Sequence, residues 1–281
     1  MIPEIVCIGD NVVDVYVDEG IMFPGGNAVN VAVNVTRIGG RATYIGALGT
    51  DHAGEVILNS LHEEGVDTTR TRILPGTNAY AIVRLVGGDR HFAPGSVGVS
   101  RFVPDAGDLA LLASTPVTHT GECSMLEDHV PTLGRAATFL SYDFSERPWD
   151  YVEALAPHVD LAILSCPRSS SDEPADVASR VLALGPSQVI VSTGADGALW
   201  TDGSAKVHAA APEREVVDTL GAGDALIGRI LVGLSRRETP DVFMPAATAY
   251  ATASCMERGA FGHATTVGST TSSPKCSERQ E

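Results

Sequence analysis

Short apolar runs rich in β-branched residues alternate along most of the chain with longer stretches whose apolar positions recur at helical spacing. That rhythm predicts a mostly parallel sheet covered by helices. Residues 5–8 open as a strand. Residues 27–38 follow as a helix that stops at Gly39-Gly40, where glycine accepts the left-handed cap conformation. Further strands are predicted at 42–48, 117–120, 140–144, 161–165 and 189–193, and further helices at 54–64, 149–156, 175–184 and 225–234. Two stretches break the rhythm. Residues 12–17 and 78–93 alternate like half-exposed antiparallel strands, the second interrupted at Gly87-Gly88-Asp89, a glycine-rich hairpin turn. They are expected to form a small sheet set against the main domain. One domain is expected over residues 1–262, and 263–281, rich in Ser and Thr and without apolar periodicity, reads as a flexible tail.

Charge and composition then exclude several functions. The net charge of −16, with Lys206 and Lys275 as the only lysines, repels a polyphosphate backbone, so nucleic acid is set aside as a partner. No apolar run reaches the roughly 18 residues that span a bilayer, and the N-terminus lacks a basic leader, so neither membrane nor signal peptide is expected. Five scattered cysteines fit neither a disulfide framework nor a CxxC metal site, and point to the reducing cytoplasm. No lysine follows a glycine, which removes the Walker A loop, and HExxH and GxSxG are absent. Any phosphate site must therefore use backbone groups.

Such groups are offered by Val216-Val217-Asp218-Thr219-Leu220-Gly221-Ala222-Gly223-Asp224, a segment followed by a helical run. A strand, a glycine-bounded turn and a helix start would aim the amides of Gly221, Ala222 and Gly223 at an anion. Asp224 would repel a resting phosphate, yet it is placed to take the proton of a hydroxyl attacking a phosphoryl group. Two blander readings compete, a helix cap at Asp224 and a Rossmann turn, the latter weakened by Leu226 at the third glycine position. A second segment runs from Phe23-Pro24-Gly25-Gly26 into a helix where Asn27, Asn30 and Asn34 fall within about 60° of one another. Buried amides need partners. A polyhydroxylated ligand would supply them to Asn27 and Asn30, while a cap at Asn27 and loop bonds from Asn30 are the equal alternative; Asn34, a turn further in, reads as structural.

Together, the GGN-x-x-N helix and the DTxGAGD turn, in this order and separation, resemble the PfkB-type, or ribokinase-like, carbohydrate kinases from about residue 5 to 262. Within that family GDNVVDVY, FPGGNAVNVAVNVTRIG and YDFSERPW resemble the fructoselysine (fructosamine) 6-kinases. The resemblance implies a three-layer α/β/α sandwich with a mostly parallel central sheet and a small β-lid, its pieces at about 12–22 and 77–100. It implies an ATP-dependent transfer of the γ-phosphoryl group to a primary hydroxyl of a ketose-like sugar. Asp224 would be the catalytic base, and Gly221, Ala222 and Gly223 the anion hole. Asp14, Gly26, Asn27, Asn30 and Arg90 would face the sugar, and Ser192, Gly194 and Gly197 the nucleotide. A helix at 246–259 would line the adenine, and Asp218 would be the ligand of a monovalent cation such as K⁺.

The chain also departs from the pattern. Where many relatives carry Asn-x-x-Glu for Mg²⁺ and phosphate, it reads Ser165-Cys166-Pro167-Arg168-Ser169, and Ser145 replaces asparagine in a D-x-N-x-R string that keeps Asp143 and Arg147. Mg²⁺ is therefore expected to arrive with ATP and water. Alternative functions are a kinase of the same fold acting on ribose, fructose or a nucleoside, and a non-catalytic sugar or nucleotide sensor. The exposed lid is a candidate clasp for a homodimer, since two-stranded edges are poorly stable alone.

Overall fold

The computed structural model describes residues 2–86, 89–167 and 172–267, with backbone alone at 85, 86 and 89–92. Strands β1 (Glu4–Ile8), β2 (Val12–Tyr16) and β3 (Ile21–Gly25) lead into helix α1 (Asn27–Arg37). Then come β4 (Arg41–Ile45), β5 (Ala47–Gly49), α2 (His52–Glu63), β6 (Arg72–Leu74), β7 (Tyr80–Val86) and β8 (Asp89–Ser96). The middle runs α3 (Ala106–Ser114), β9 (Val117–Gly121), α4 (Val130–Ala136), β10 (Leu140–Ser145), α5 (Trp149–Leu155), β11 (Leu161–Ser165), α6 (Pro174–Leu182) and β12 (Gln188–Ser192). The chain closes with β13 (Ala198–Thr201), β14 (Lys206–Ala209), α7 (Ala222–Ser235), α8 (Pro240–Ser254) and β15 (Thr265–Thr266).

Eight strands form the central sheet in the order β14-β13-β12-β11-β10-β9-β1-β4. Pairing is parallel from β4 to β12 and antiparallel for β13 and β14. Because side chains alternate across a strand, each central strand feeds two cores. Ile5 and Cys7 of β1, with Leu161 and Ile163 of β11, pack against α1, α2, α7 and α8. Val6 and Ile8, with Ala162 and Leu164, pack against α3, α4, α5 and α6. The result is the three-layer α/β/α sandwich. All the parallel strands end on one edge of the sheet, where ligands of such folds bind. Asp10, Gly121, Ser145, Ser165 and Ser192 lie along that edge.

The small sheet is larger than two strands: its order is β15-β3-β2-β7-β8. β2 pairs antiparallel with β3 and parallel with β7, so it is an interior strand rather than a half-exposed ribbon. That removes the physical ground for the dimer clasp, since the lid is not an isolated hairpin. β15 pairs with β3, so Thr265 and Thr266 belong to the lid and not to a free tail. Residues 268–281 and the turn at Gly87-Gly88 lie outside the described residues. The strand expected at 42–48 divides at Gly46, where a side chain would meet the Tyr44 hydroxyl at 2.0 Å. β4 stays in the central sheet, while β5 pairs with β6. No strand precedes the Gly221–Gly223 turn. Val216 and Val217 are exposed, and the amides of Val217 and Asp218 donate instead to the Cys255 carbonyl at 2.9 and 3.0 Å. β-branched composition marks a strand only when a neighbour is there to pair with it. Among the described residues no helix is long and apolar enough to cross a membrane.

Candidate active site

The start of α1 is built by a residue far from it in sequence. Gly26, the N-cap, has a φ of 110° and no side chain to cap with. A Cβ there would lie 2.7 Å from the Asn11 Cα and 3.0 Å from an Asp10 carboxylate oxygen, so only glycine fits. Asp10, at the end of β1, does the capping: its Oδ2 accepts the Asn27 amide at 2.9 Å and its Oδ1 the Ala28 amide at 3.2 Å. Ser124 donates its hydroxyl to the same carboxylate at 3.0 Å. Asn27 is thus the first helical residue and not the cap, which leaves its side chain available for the site. Gly26 serves by letting the chain pass close to Asp10 and Asn11.

Helices α1 and α7 pack at close range. A side chain at Gly228 would meet the Asn34 Cβ at 2.9 Å. One turn earlier on each helix, on the same faces, stand Asp224 and Asn30. The Asn30 amide donates to Asp224 Oδ2 at 2.7 Å, and the Asn27 amide to Asp224 Oδ1 at 2.8 Å. Asn27 Nδ2 also donates to Asp143 Oδ2 at 3.0 Å, while its Oδ1 lies 3.1 Å from His119 Nε2. Asn34 does what its depth implies, donating to the Asn30 carbonyl at 2.8 Å and accepting the Tyr250 hydroxyl at 2.9 Å.

Crowding of acids in little water sets the electrostatics. Asp224 and Asp143 keep an edge toward the cleft, but surrounding protein strips most water from their carboxylates. Burial first, then the Asp143 charge, pushes Asp224 up to about 8 against the pull of Asn30. Burial, and after it Glu122 and Asp10, pushes Asp143 up to about 7. Burial holds His119 down to about 3, so its ring is neutral. A carboxylate poised near neutrality at a helix N-terminus has the properties of a general base.

The three residues of the expected anion hole differ in geometry. Gly221 caps α7 at a φ of 75°, and a side chain there would strike Ala260 at 2.6 Å. Gly223 faces open space, with nothing within 4 Å of a built Cβ. The Ala222 amide is already spent on the Thr219 carbonyl at 3.2 Å, closing the turn. Asp218 accepts the Leu220 amide at 2.8 Å and the Gly259 amide at 3.1 Å, so its carboxylate fastens this turn to the loop after α8.

The expected nucleotide loop lies at the ends of β11 and β12. The Ser192 hydroxyl is 3.2 Å from that of Ser165 and donates to the Leu164 carbonyl at 3.3 Å. Thr193 closes a tight turn onto the Gly197 carbonyl through its amide at 2.9 Å and its hydroxyl at 3.0 Å. Gly194 and Gly197 have φ of 62° and 102°, which accounts for both glycines. The helix expected at 246–259 is α8, displaced toward the N-terminus and ending at Ser254.

Comparison with known proteins shows the family. Residues 4–266 match the model of the pfkB family carbohydrate kinases. The chain belongs to the PfkB family. A fructosamine kinase of Bacillus subtilis (strain 168) is 34% identical over 266 residues, covering 92% of this chain and 93% of the relative. A fructoselysine 6-kinase of Escherichia coli (strain K12) is 36% identical over 250 residues, covering 88% and 93%. The aminoimidazole riboside kinase of Salmonella enterica, solved with aminoimidazole riboside and an ATP analogue, superposes with a TM-score of 0.75 at 25% identity over 92% of this chain and 96% of that one. The ribokinase of Arabidopsis thaliana, at 18% identity and a TM-score of 0.79 over 94% and 96%, shares the fold.

For this PfkB chain, motif reading found Asp224, Asn27, Asn30 and Asp14, and the structure brings the first three into direct contact. Asp14 joins them through Gly25: a side chain there would lie 2.8 Å from Asp14 Oδ2 and 3.8 Å from Asn30 Oδ1. The Arg90 side chain lies outside the described residues, as do Arg168 and Ser169. Motif reading missed Asp10 and His119 and met Asp143 only as part of a string. Asp10 and Asp143 stand at or near the carboxyl ends of apolar parallel strands, a position that flags them, whereas His119 sits in the middle of β9, whose sequence VTHTG carries no such signal. The Cys166 thiol donates to the Asp172 carbonyl at 3.2 Å.

Proposed function

We propose that this carbohydrate kinase uses ATP to phosphorylate a primary hydroxyl of a fructosamine, fructoselysine first, with Asp224 as base. The observation that carries the reading is the acceptor pocket beside Asp224. Asn30 spends its amide nitrogen on the base, and its Oδ1 is buried without a partner, bordering the Asp14 carboxylate. A buried amide oxygen left without a partner beside the base suits a polyhydroxyl ligand, one of whose hydroxyls would satisfy it. The sugar hydroxyls would donate to Asp14 and Asn30, bringing the reacting hydroxyl to Asp224. Asp224 then takes its proton as the oxygen attacks the γ-phosphoryl group. The amides of Gly221 and Gly223 at the positive end of α7 face the charge on the transferred group.

Likeness to a fructosamine kinase and a fructoselysine 6-kinase supports the acceptor class. Among the described residues no group of three His, Cys, Asp or Glu side chains is arranged to hold a metal. Mg²⁺ would arrive with the phosphates and water, and Asp218, whose carboxylate fastens the turn, is the candidate ligand of a monovalent cation. The test is a panel of fructosamines, fructose, ribose and nucleosides with ATP and Mg²⁺, ranked by kcat/KM. Fructoselysine is expected to lead. Ribose or a nucleoside ahead of every fructosamine removes the acceptor assignment, and binding without ADP release makes the chain a sensor.

A further inference from the structure

The amide of Asn27 faces two carboxylates with one atom and a histidine with the other, and chemistry fixes which atom is which. With Asp224 ionised, as a base must be, only an NH₂ group can serve it at 2.8 Å and Asp143 at 3.0 Å together, so Oδ1 is the atom turned to His119. An amide oxygen only accepts. The His119 Nε2, 3.1 Å away, must therefore carry the proton, and in the neutral ring Nδ1 is then an acceptor. The group facing Nδ1 is the Ser141 hydroxyl at 3.1 Å, which is left to donate. Ser141 and His119 are register partners on the adjacent parallel strands β10 and β9, and both are completely buried. Proton donation thus runs one way, from Ser141 to His119 to Asn27 to the two carboxylates. Space is arranged for it as well. Gly121, next but one to His119, leaves room for the amide, since a Cβ there would lie 2.6 Å from Asn27 Oδ1.

We propose that His119 is a positioning residue for phosphoryl transfer: its Nε2–H holds the Asn27 amide with the NH₂ group toward Asp224, while Ser141 pairs the buried Nδ1. The inference rests on Asp224 as the base. With the His119 N–H absent, the Asn27 oxygen loses its donor and the amide is free to turn over. An overturned amide would set its oxygen against Asp224 and Asp143 and disfavour the ionised base. Among the described residues the other charged groups facing Asp224 are Asp143 from β10 and Asp10 from the end of β1, and neither compensates.

Kinetics of Ser141→Ala, His119→Gln and His119→Leu on the full chain test this, with the ¹⁵N shifts of His119 as a readout independent of turnover. His119→Leu is expected to lower kcat about tenfold, the loss of roughly one charge-assisted bond at the base. It should leave the acceptor KM within about twofold and move the acidic limb of kcat/KM to higher pH, whereas Ser141→Ala, in which the Asn27 oxygen still selects Nε2–H, should keep the tautomer and most of the turnover. His119→Gln, whose terminal amide nitrogen reaches the Nε2 position, is expected to keep far more activity than His119→Leu. Wild-type kcat and pH profile in His119→Leu overturn the proposal, as does a proton on Nδ1 of His119 in the wild type. A glutamine variant no better than leucine overturns it too; where His119→Leu does not fold, the wild-type ¹⁵N shifts and the kinetics of His119→Gln decide. Turnover retained by Asp224→Asn would instead remove the base assignment and leave the tautomer result standing.

Discussion

The carboxyl edge of the central sheet has two halves built on different principles. Toward β1, β9 and β10 the site is made of side chains: Asp10, Asn27, Asn30, His119, Asp143 and Asp224 form a dense network. Toward β11 and β12 it is made of backbone, with two glycines of positive φ and small hydroxyls that bond mostly to carbonyls. Under the proposed function, the difference follows from what each half must do. A base and its acceptor hydroxyl demand fixed geometry and a tuned pKa, which buried, mutually bonded side chains supply. A triphosphate on a chain of net charge −16 is better met by amides, which bring partial positive charge without a lysine. Changes in the first half should therefore alter turnover, and changes in the second should alter ATP binding.

The largest expected effect is at the base. Asp224→Ala should lower kcat by about 10³, within the range of general-base catalysis, while the KM for ATP changes less than about threefold. In the wild type kcat/KM for the acceptor is expected to rise with pH toward about 8, because the base must be ionised. The same residue carries a stability signature of opposite sense. Its carboxyl is raised from 3.8 to about 8 on folding, so between those values the folded state holds a proton that the unfolded state has lost, and stability falls as pH rises. Thermal unfolding from pH 5 to 8 should therefore show a shallower decline in Asp224→Ala than in the wild type. Parallel Tm curves would mean that Asp224 is ionised throughout and that the network, not its burial, controls it.

The helix contact that brings the base to its partners gives the next effect. Gly228→Ala places a Cβ 2.9 Å from that of Asn34, so α1 and α7 must separate by a few tenths of an ångström one turn below the Asp224–Asn30 bond. A drop of about tenfold in kcat with ATP KM unchanged is expected, together with overpacking destabilisation of about 1–3 kcal/mol in denaturant unfolding. Equal changes in both Michaelis constants would show that the two halves are mechanically joined.

How much of this was legible follows the same division. Asp224, Asn27 and Asn30 sit in local motifs, where spacing alone places them at helix starts, and the two-core sandwich is written in the alternation of strands such as β1 and β11. The Asp10 cap and the His119 contact were not legible, because their partners lie 17 and 92 residues away and periodicity reports burial without naming what a buried group meets. The short strands β5, β6 and β15 escaped for a related reason: each is held by a partner strand more than by its own pattern. Val216 and Val217 failed in the reverse sense, since their composition promised a strand that no neighbour completes.

In the nucleotide half the smallest and most selective effect is expected from Gly197→Ala. The glycine has a φ of 102°, and an added Cβ would meet the Ala209 carbonyl oxygen at 2.0 Å, so the turn closed by Thr193 must shift. Strain of this kind costs about 1–3 kcal/mol. Part of that cost will appear as lowered stability, and the part that displaces the loop should raise the KM for ATP by about three- to tenfold. At saturating ATP, kcat and the acceptor KM should stay within about twofold of the wild type, because no bond of the Asp224 network touches this loop. A comparable rise in the acceptor KM would show that the backbone-built half positions the sugar as well as the nucleotide, and the division between the two halves would then fail.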